Sequence, residues 1–278
     1  MMPASPVPPW LPGLVFTDFL PTPSTYRFDL VPGSGTIAKT LVMQAAQALI
    51  HSTLPLVDVW TYDGSYPGPT FAVRHGQQLQ VTWVNAIQGA YPVRVVLADE
   101  PPAGGPRPQN EPGDSGGQQV MNVPESARTV VHLHGGQTQA DSDGWPDNTL
   151  GEGHAGVSRY EVGQQAALLW YHDHAMGITR YNVFAGLSGL WVIRDHEEAQ
   201  LVGRGGIPDS RHELFVVIQD RNLATTDGTA TGPPSNQFLH KIDRGTGEFF
   251  GPFTLVNGRI WPRHPVSPKA YRVRILNG

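Results

Sequence analysis

The run Ala167-Leu168-Leu169-Trp170-Tyr171-His172-Asp173-His174 decides how the chain is read, and Thr129-Val130-Val131-His132-Leu133-His134-Gly135 is its earlier counterpart. Each opens on an apolar, β-favouring stretch and carries a His-x-His pair. Side chains two apart on a strand point to one face, so each pair offers two imidazoles in one direction, roughly 6–7 Å apart at Cα. Leu133 then faces packing. By the same alternation Asp173 turns away from the imidazoles and is not expected as a ligand.

A single His-x-His in a strand is more often a surface or hydrogen-bonded histidine than a ligand pair. Two pairs shift that balance. Four of the eleven histidines fall in these stretches, while His51, His75, His154, His196, His212, His240 and His264 stand singly and carry no functional reading. A set of imidazoles with no thiolate anywhere, and no Glu at ligand spacing, suits copper, zinc, nickel or iron, with copper at the top of the affinity order for nitrogen sites. One ion does not easily use four imidazoles from two strands together with solvent, so a polynuclear site stands at least level with a mononuclear one.

His132-Leu133-His134-Gly135-Gly136, then Asp141-Ser142-Asp143-Gly144-Trp145-Pro146, Leu169-Trp170-Tyr171-His172-Asp173-His174-Ala175-Met176 and Gly186-Leu187-Ser188-Gly189 together resemble the first two copper motifs of the multicopper oxidases. The His-Asp-His form is similar to the bacterial branch of spore-coat laccase, phenoxazinone synthase and bilirubin oxidase. Tyr66-Pro67-Gly68-Pro69-Thr70 also fits, and the likeness runs from about Asp58 to Gly278. It implies that His132 binds the type 2 copper of a trinuclear cluster and that His134, His172 and His174 bind the type 3 pair, with His134 and His172 on one ion. It also implies that Asp143 assists proton delivery to reduced oxygen; as a residue in its own right, Asp143 reads equally as a turn aspartate before Gly144.

The departure from the family pattern matters as much. Family members complete the cluster with further histidines from a last domain, where a His-Cys-His motif supplies the type 1 copper thiolate. This sequence has no cysteine. It is therefore expected to carry half of the trinuclear site and no type 1 site, and not to oxidise a donor unaided.

The rest of the composition points to β structure. Gly and Pro number 32 and 26 of 278 residues and only 15% are charged, a balance that favours short strands and turns over long helices. A formal charge of −5 leaves no basic footprint for nucleic acid, and no apolar run is long enough for a membrane-spanning helix. Eight prolines in the first thirty-two residues, with no leading Lys or Arg, argue against a secretory signal; we expect an extended arm packed on a barrel, and a cytoplasmic location by default.

Strands are expected over 71–73, 79–85, 93–97, 187–194, 214–219 and 271–276, with a strand rather than a helix over 40–50. A long loop is expected over 99–126, which reads only weakly as a substrate lid, and a short helix over 175–185. Met176 is expected to pack. The Gly-rich, charged stretch 195–210 reads as a linker, and Asn257-Gly258 as a hairpin turn.

The expected architecture is all-β: a cupredoxin-like Greek-key barrel or sandwich over residues 1–200, then an incomplete second cupredoxin-like domain over 201–278. A sandwich stopping there would leave bare edges and an uncovered apolar face, so the chain is expected to continue or to be completed by a partner carrying the missing C-terminal domain. The expected function is that of the N-terminal part of a laccase-type oxidase, with O2 and a phenolic or similar electron donor as reactants. The alternative is a copper-binding chain without turnover of its own. A cupin-type iron or manganese dioxygenase also uses His-x-His, but the second pair argues against it.

Overall fold

A computed structural model describes residues 11–33, 35–97, 118–119, 126–229, 232–242 and 249–278. The first eleven strands are β1 (Thr25–Arg27), β2 (Thr36–Ala48), β3 (Val57–Tyr62), β4 (Gly68–Arg74), β5 (Gln78–Asn85), β6 (Val93–Leu97), β7 (Gln118–Gln119), β8 (Val131–His134), β9 (Ala155–Glu161), β10 (Ala167–Asp173) and β11 (Ser188–Arg194). Five of them make one sheet in the order β1-β4-β11-β10-β8, and four make a second in the order β3-β2-β5-β9. β5 shows why these segments are strands: Leu79, Val81 and Trp83 alternate with Gln78, Gln80 and Thr82, and the apolar set is buried.

The two sheets meet on an aromatic core. Tyr62 and Trp83 from the second sheet pack on Tyr171 of the first at 5.1 and 5.7 Å between ring centroids, and Phe71 stacks on Trp191 at 4.8 Å. Tyr171 immediately precedes His172 on β10 and turns its ring inward, where its hydroxyl donates to the Pro69 carbonyl at 2.7 Å. Gly189 faces that ring: a Cβ there would lie 2.4 Å from the Tyr171 oxygen. This is a sandwich, and the expected barrel does not close among the described residues. β11 lies inside its sheet between β4 and β10, where it cannot seal a cylinder.

Six further strands follow: β12 (Glu213–Arg221), β13 (Leu223–Thr225), β14 (Pro234–Ile242), β15 (Phe253–Val256), β16 (Arg259–Ile260) and β17 (Arg272–Asn277). Four form a sheet in the order β16-β15-β12-β17, with the β15–β16 turn at Asn257 and Gly258, both at positive φ as a tight hairpin requires. β13 and β14 go elsewhere. β14 pairs in parallel with β6, Phe238 opposite Val93 through Ile242 opposite Leu97, so the later segment extends a sheet that begins in the earlier one.

Some expectations give way to local chemistry. The stretch read as a linker contains helix α2 (His196–Gly203), following α1 (Thr179–Ala185); Asp195 caps α2 by accepting from the Glu198 amide at 2.8 Å, and Glu, Ala, Gln and Leu favour helix. Met176 is exposed rather than packed. On β17 the alternation runs opposite to the usual sense. Val273 and Ile275 face outward at 47% and 59% exposure, while Arg272 and Arg274 turn inward to Glu198 and Glu213. The expected long loop falls outside the described residues except at 118–119 and 126, and residues 1–10 of the proline-rich arm also fall outside them. Among the described residues no helix is long and apolar enough to cross a membrane.

Candidate metal centre

β8 and β10 are antiparallel neighbours, and their register sets His132 opposite His172 and His134 opposite Trp170. Opposed residues share a sheet face, so the two His-x-His pairs meet side by side. His174, just past the end of β10, completes the group; its amide donates to the Val130 carbonyl at 2.8 Å, holding it against the start of β8. Ring centroids lie 5.2 to 5.8 Å apart for His132 with each of the other three, and 5.5 Å apart for His172 with His134 and with His174. One nitrogen each from His132, His134 and His172 falls within a mutual 4.8 Å.

The hydrogen bonds fix which nitrogens are available. His132 Nδ1 donates to the Asp143 carbonyl at 2.7 Å, and His172 Nδ1 donates to the Asp173 carbonyl at 2.7 Å. Both rings therefore keep an Nε2 lone pair for a ligand. His134 Nδ1 lies 3.3 Å from His172 Nε2, so these two nitrogens converge on one point. His174 Nδ1 is buried and has no hydrogen-bond partner among the described residues. Trp170 stacks on His172 at 4.1 Å, and burial of that ring, with the neighbouring His132, His174 and His134 adding repulsion, pushes the His172 pKa down to about 4. The ring is thus neutral, as a metal ligand must be.

Asp173 faces away from the cluster and holds it from behind. Its carboxylate accepts from the Val130 amide at 2.9 Å, the Ala175 amide at 3.0 Å and Asn182 Nδ2 at 2.7 Å, tying β8, the end of β10 and α1 to one buried group. Burial pushes its pKa up to about 7, opposed by these three donors. Asp143 touches His132 chiefly through its backbone; its own carboxylate is half exposed and 3.4 Å from His132 Nδ1. The loop carrying it lies so close to β8 that a Cβ on Gly144, at φ +79°, would sit 2.2 Å from the Val131 carbonyl.

All four predicted histidines and Asp143 therefore come together. Sequence reading missed Asn182 and the anchoring role of Asp173. An acid between two strand histidines, facing the interior, was the available signal, since a buried carboxylate must find donors; Asn182 carries none.

A family model described as multicopper oxidase matches residues 106–198. The laccase of Bacillus subtilis (strain 168) is 32% identical over 276 residues, covering 94% of this chain and 49% of the relative, and that of Bacillus stratosphericus is 35% identical over 250 residues, covering 85% and 44%. The chain belongs to the multicopper oxidase family. Multicopper oxidase McoA of Aquifex aeolicus has the same fold, with a TM-score of 0.67 at 21% identity over 94% of this chain and 46% of that one. This multicopper oxidase chain spans about half the length of the curated relatives it matches. Copper is the metal the family implies, and the donors fit it: all are imidazole nitrogens, two with their tautomer fixed by a carbonyl and one, on His174, buried without a partner among the described residues.

Proposed function

We propose that this chain carries half of the trinuclear copper site of a laccase-type oxidase that reduces O2 to water. His132 holds the type 2 copper and His134, His172 and His174 hold the type 3 pair, with His134 and His172 on the same ion. The observation that carries the reading is the convergence of four imidazoles from two paired strands. Bound copper supplies one-electron redox chemistry for electrons drawn from phenolic or similar donors. The chain's own part is to present neutral rings, fix their tautomers through the Asp143 and Asp173 carbonyls, and shield His172 beneath Trp170. Asp143, half exposed beside His132, is suited to pass a proton between solvent and that edge of the cluster.

The absence of cysteine favours a second reading for the chain by itself: copper binding without turnover, with the type 1 site and the remaining ligands contributed by another domain or chain. We also assign residues 1–200 and 201–278 to two cupredoxin-like units. The β16-β15-β12-β17 sheet, drawn wholly from the second, supports this division, although β14 crosses to β6.

Copper titration followed by electron paramagnetic resonance tests the assignment. Wild type takes up copper, His132→Ala loses the signal of an isolated ion, and His172→Ala loses the coupled pair. Unchanged stoichiometry in both variants rejects the site. Oxygen uptake with a phenolic donor separates the two readings: turnover by the chain alone rejects the binding-only one.

A further inference from the structure

The ladder between β8 and β10 ends at His134, opposite Trp170, and the chain turns away at once. The Gly136 amide donates to the Leu133 carbonyl at 3.0 Å, closing a tight turn whose third residue, Gly135, has φ +80°. His134 lies inside this turn, so the turn sets the direction of its Cα–Cβ bond. His132 and His172 each anchor Nδ1 on a carbonyl. Among the described residues the exposed His134 has no such acceptor, and its Nδ1 points instead at His172 Nε2, 3.3 Å away.

The turn is held by a side chain from the loop between β9 and β10. Gln164 Oε1 accepts from the Gln137 amide at 2.8 Å, and Gln164 Nε2 donates to the Gly135 carbonyl at 2.8 Å. A primary amide offers a donor and an acceptor as a peptide unit does, so Gln164 continues with its side chain the pairing that the backbones of β8 and β10 leave off. Gln164 is itself secured. His75 Nδ1 donates to its carbonyl at 2.9 Å, and on either side of it the Val162 amide donates to the Gln77 carbonyl at 3.0 Å and the Ala166 amide to Asp195 Oδ2 at 2.7 Å. A Cβ on Gly135 would lie 3.2 Å from Leu169 Cδ2, so β10 also abuts the turn.

We propose that Gln164 is the positioning residue for His134. It acts through the backbone: two hydrogen bonds from one amide fix the Gly135 carbonyl and the Gln137 amide, hold the turn, and thereby aim the His134 ring at the point it shares with His172. The purpose of this clamp rests on the copper assignment above; its geometry does not. Because the rings are held by different devices, losing this one disturbs His134 while His132 and His172 stay on their carbonyls.

Gln164→Met tests this, since it keeps the length of the side chain and removes both hydrogen bonds; Gln165→Ala, at the exposed neighbouring position, is the control. Imidazole nitrogen NMR of the metal-free 278-residue chain is expected to show the His134 signals, assigned by their loss in His134→Ala, shifted in Gln164→Met. The His132 and His172 signals should remain those of rings protonated on Nδ1. Copper titration followed by electron paramagnetic resonance is expected to show about 10–100-fold weaker uptake at the coupled pair, the scale for groups that orient metal ligands, with the isolated-ion signal of His132 kept. A merely structural role would lower the melting temperature and affect all four rings and both copper signals alike. That pattern, wild-type spectra in Gln164→Met, or a change of equal size in Gln165→Ala overturns the proposal. The metal-free spectra judge the clamp by themselves, so a wild-type chain that takes up no copper rejects the copper reading and not the role of Gln164.

Discussion

His132 and His172 stand directly opposite each other across β8 and β10, and each donates its Nδ1 proton to a main-chain carbonyl 2.7 Å away, Asp143 for one and Asp173 for the other. Strand register brings the rings together, and backbone acceptors decide which nitrogen each ring offers. Neither task depends on a flexible side chain. A ligand pair positioned in this way loses little freedom when a metal binds.

The Asp173 carboxylate is the anchor behind that arrangement. In Asp173→Ala the Val130 and Ala175 amides and Asn182 Nδ2 lose their buried acceptor, and each unmet group costs about 1–3 kcal/mol. We expect urea denaturation to report a loss of about 3 kcal/mol or more, and copper affinity to fall about 10–100-fold, as for other groups that orient ligands. Wild-type values for both would show that β8 and β10 hold their register without it.

Gly144 offers a sharper perturbation, because the added atom is small. The Cβ of Gly144→Ala meets the Val131 carbonyl at 2.2 Å, and the residue would have to keep a positive φ, a strain of about 1–3 kcal/mol. The loop must move off β8 and take the Asp143 carbonyl from His132. A lower melting temperature together with weaker copper uptake is the expected pattern; an unchanged pair of values would mean that the loop has slack.

The pH dependence of the copper-free chain carries a defined sign. His172 has a folded pKa of about 4, below the ordinary 6.5, so above pH 6.5 it is neutral in both states and costs nothing. As pH falls from 6.5 through 4 the unfolded chain takes the proton first and stability is lost, by up to about 3 kcal/mol. Asp173 acts oppositely: with its pKa pushed up to about 7, the folded chain takes the proton first and the cost of its buried charge eases as pH falls below 7 toward 3.8. Subtracting the urea stability of His172→Gln at each pH isolates the histidine. The difference should turn against wild type between pH 6.5 and 4, and a flat difference would contradict it.

Glu198 and Glu213 gather Arg194, Arg272 and Arg274 beneath β17, and the Glu213 side chain is almost fully enclosed. Glu213→Ala leaves three guanidinium groups facing one carboxylate, a loss of about 3–5 kcal/mol for a broken buried pair. Limited proteolysis should then cut within Arg272–Asn277, while Arg211→Ala, an exposed residue paired with Asp209 in its own turn, should leave the digest as in wild type.

Much of this site is legible in the sequence because strand alternation is local: His132, Leu133 and His134 declare their faces from spacing alone, and the structure agrees. Register is a property of two distant segments, so nothing near His134 announces Trp170 opposite it, or that Asn182 reaches Asp173. The same limit explains β17. Read locally, Val273 and Ile275 are its inward face, but the carboxylates that draw Arg272 and Arg274 inward lie far earlier in the chain. Asp195 and the Glu-Glu-Ala run favour the α2 helix, while Gly203, Gly205 and Gly206 at and beyond its end favour a linker.

The parallel pairing of Pro234–Ile242 with Val93–Leu97 makes the two lobes co-owners of one hydrogen-bonded ladder. Severing the polypeptide near residue 200 would strip a neighbour from a strand of the histidine-bearing lobe and bare its flank to solvent. Heat should accordingly melt both lobes in a single endotherm, and a gene-fusion or domain-exchange boundary drawn between them would cut through a shared wall.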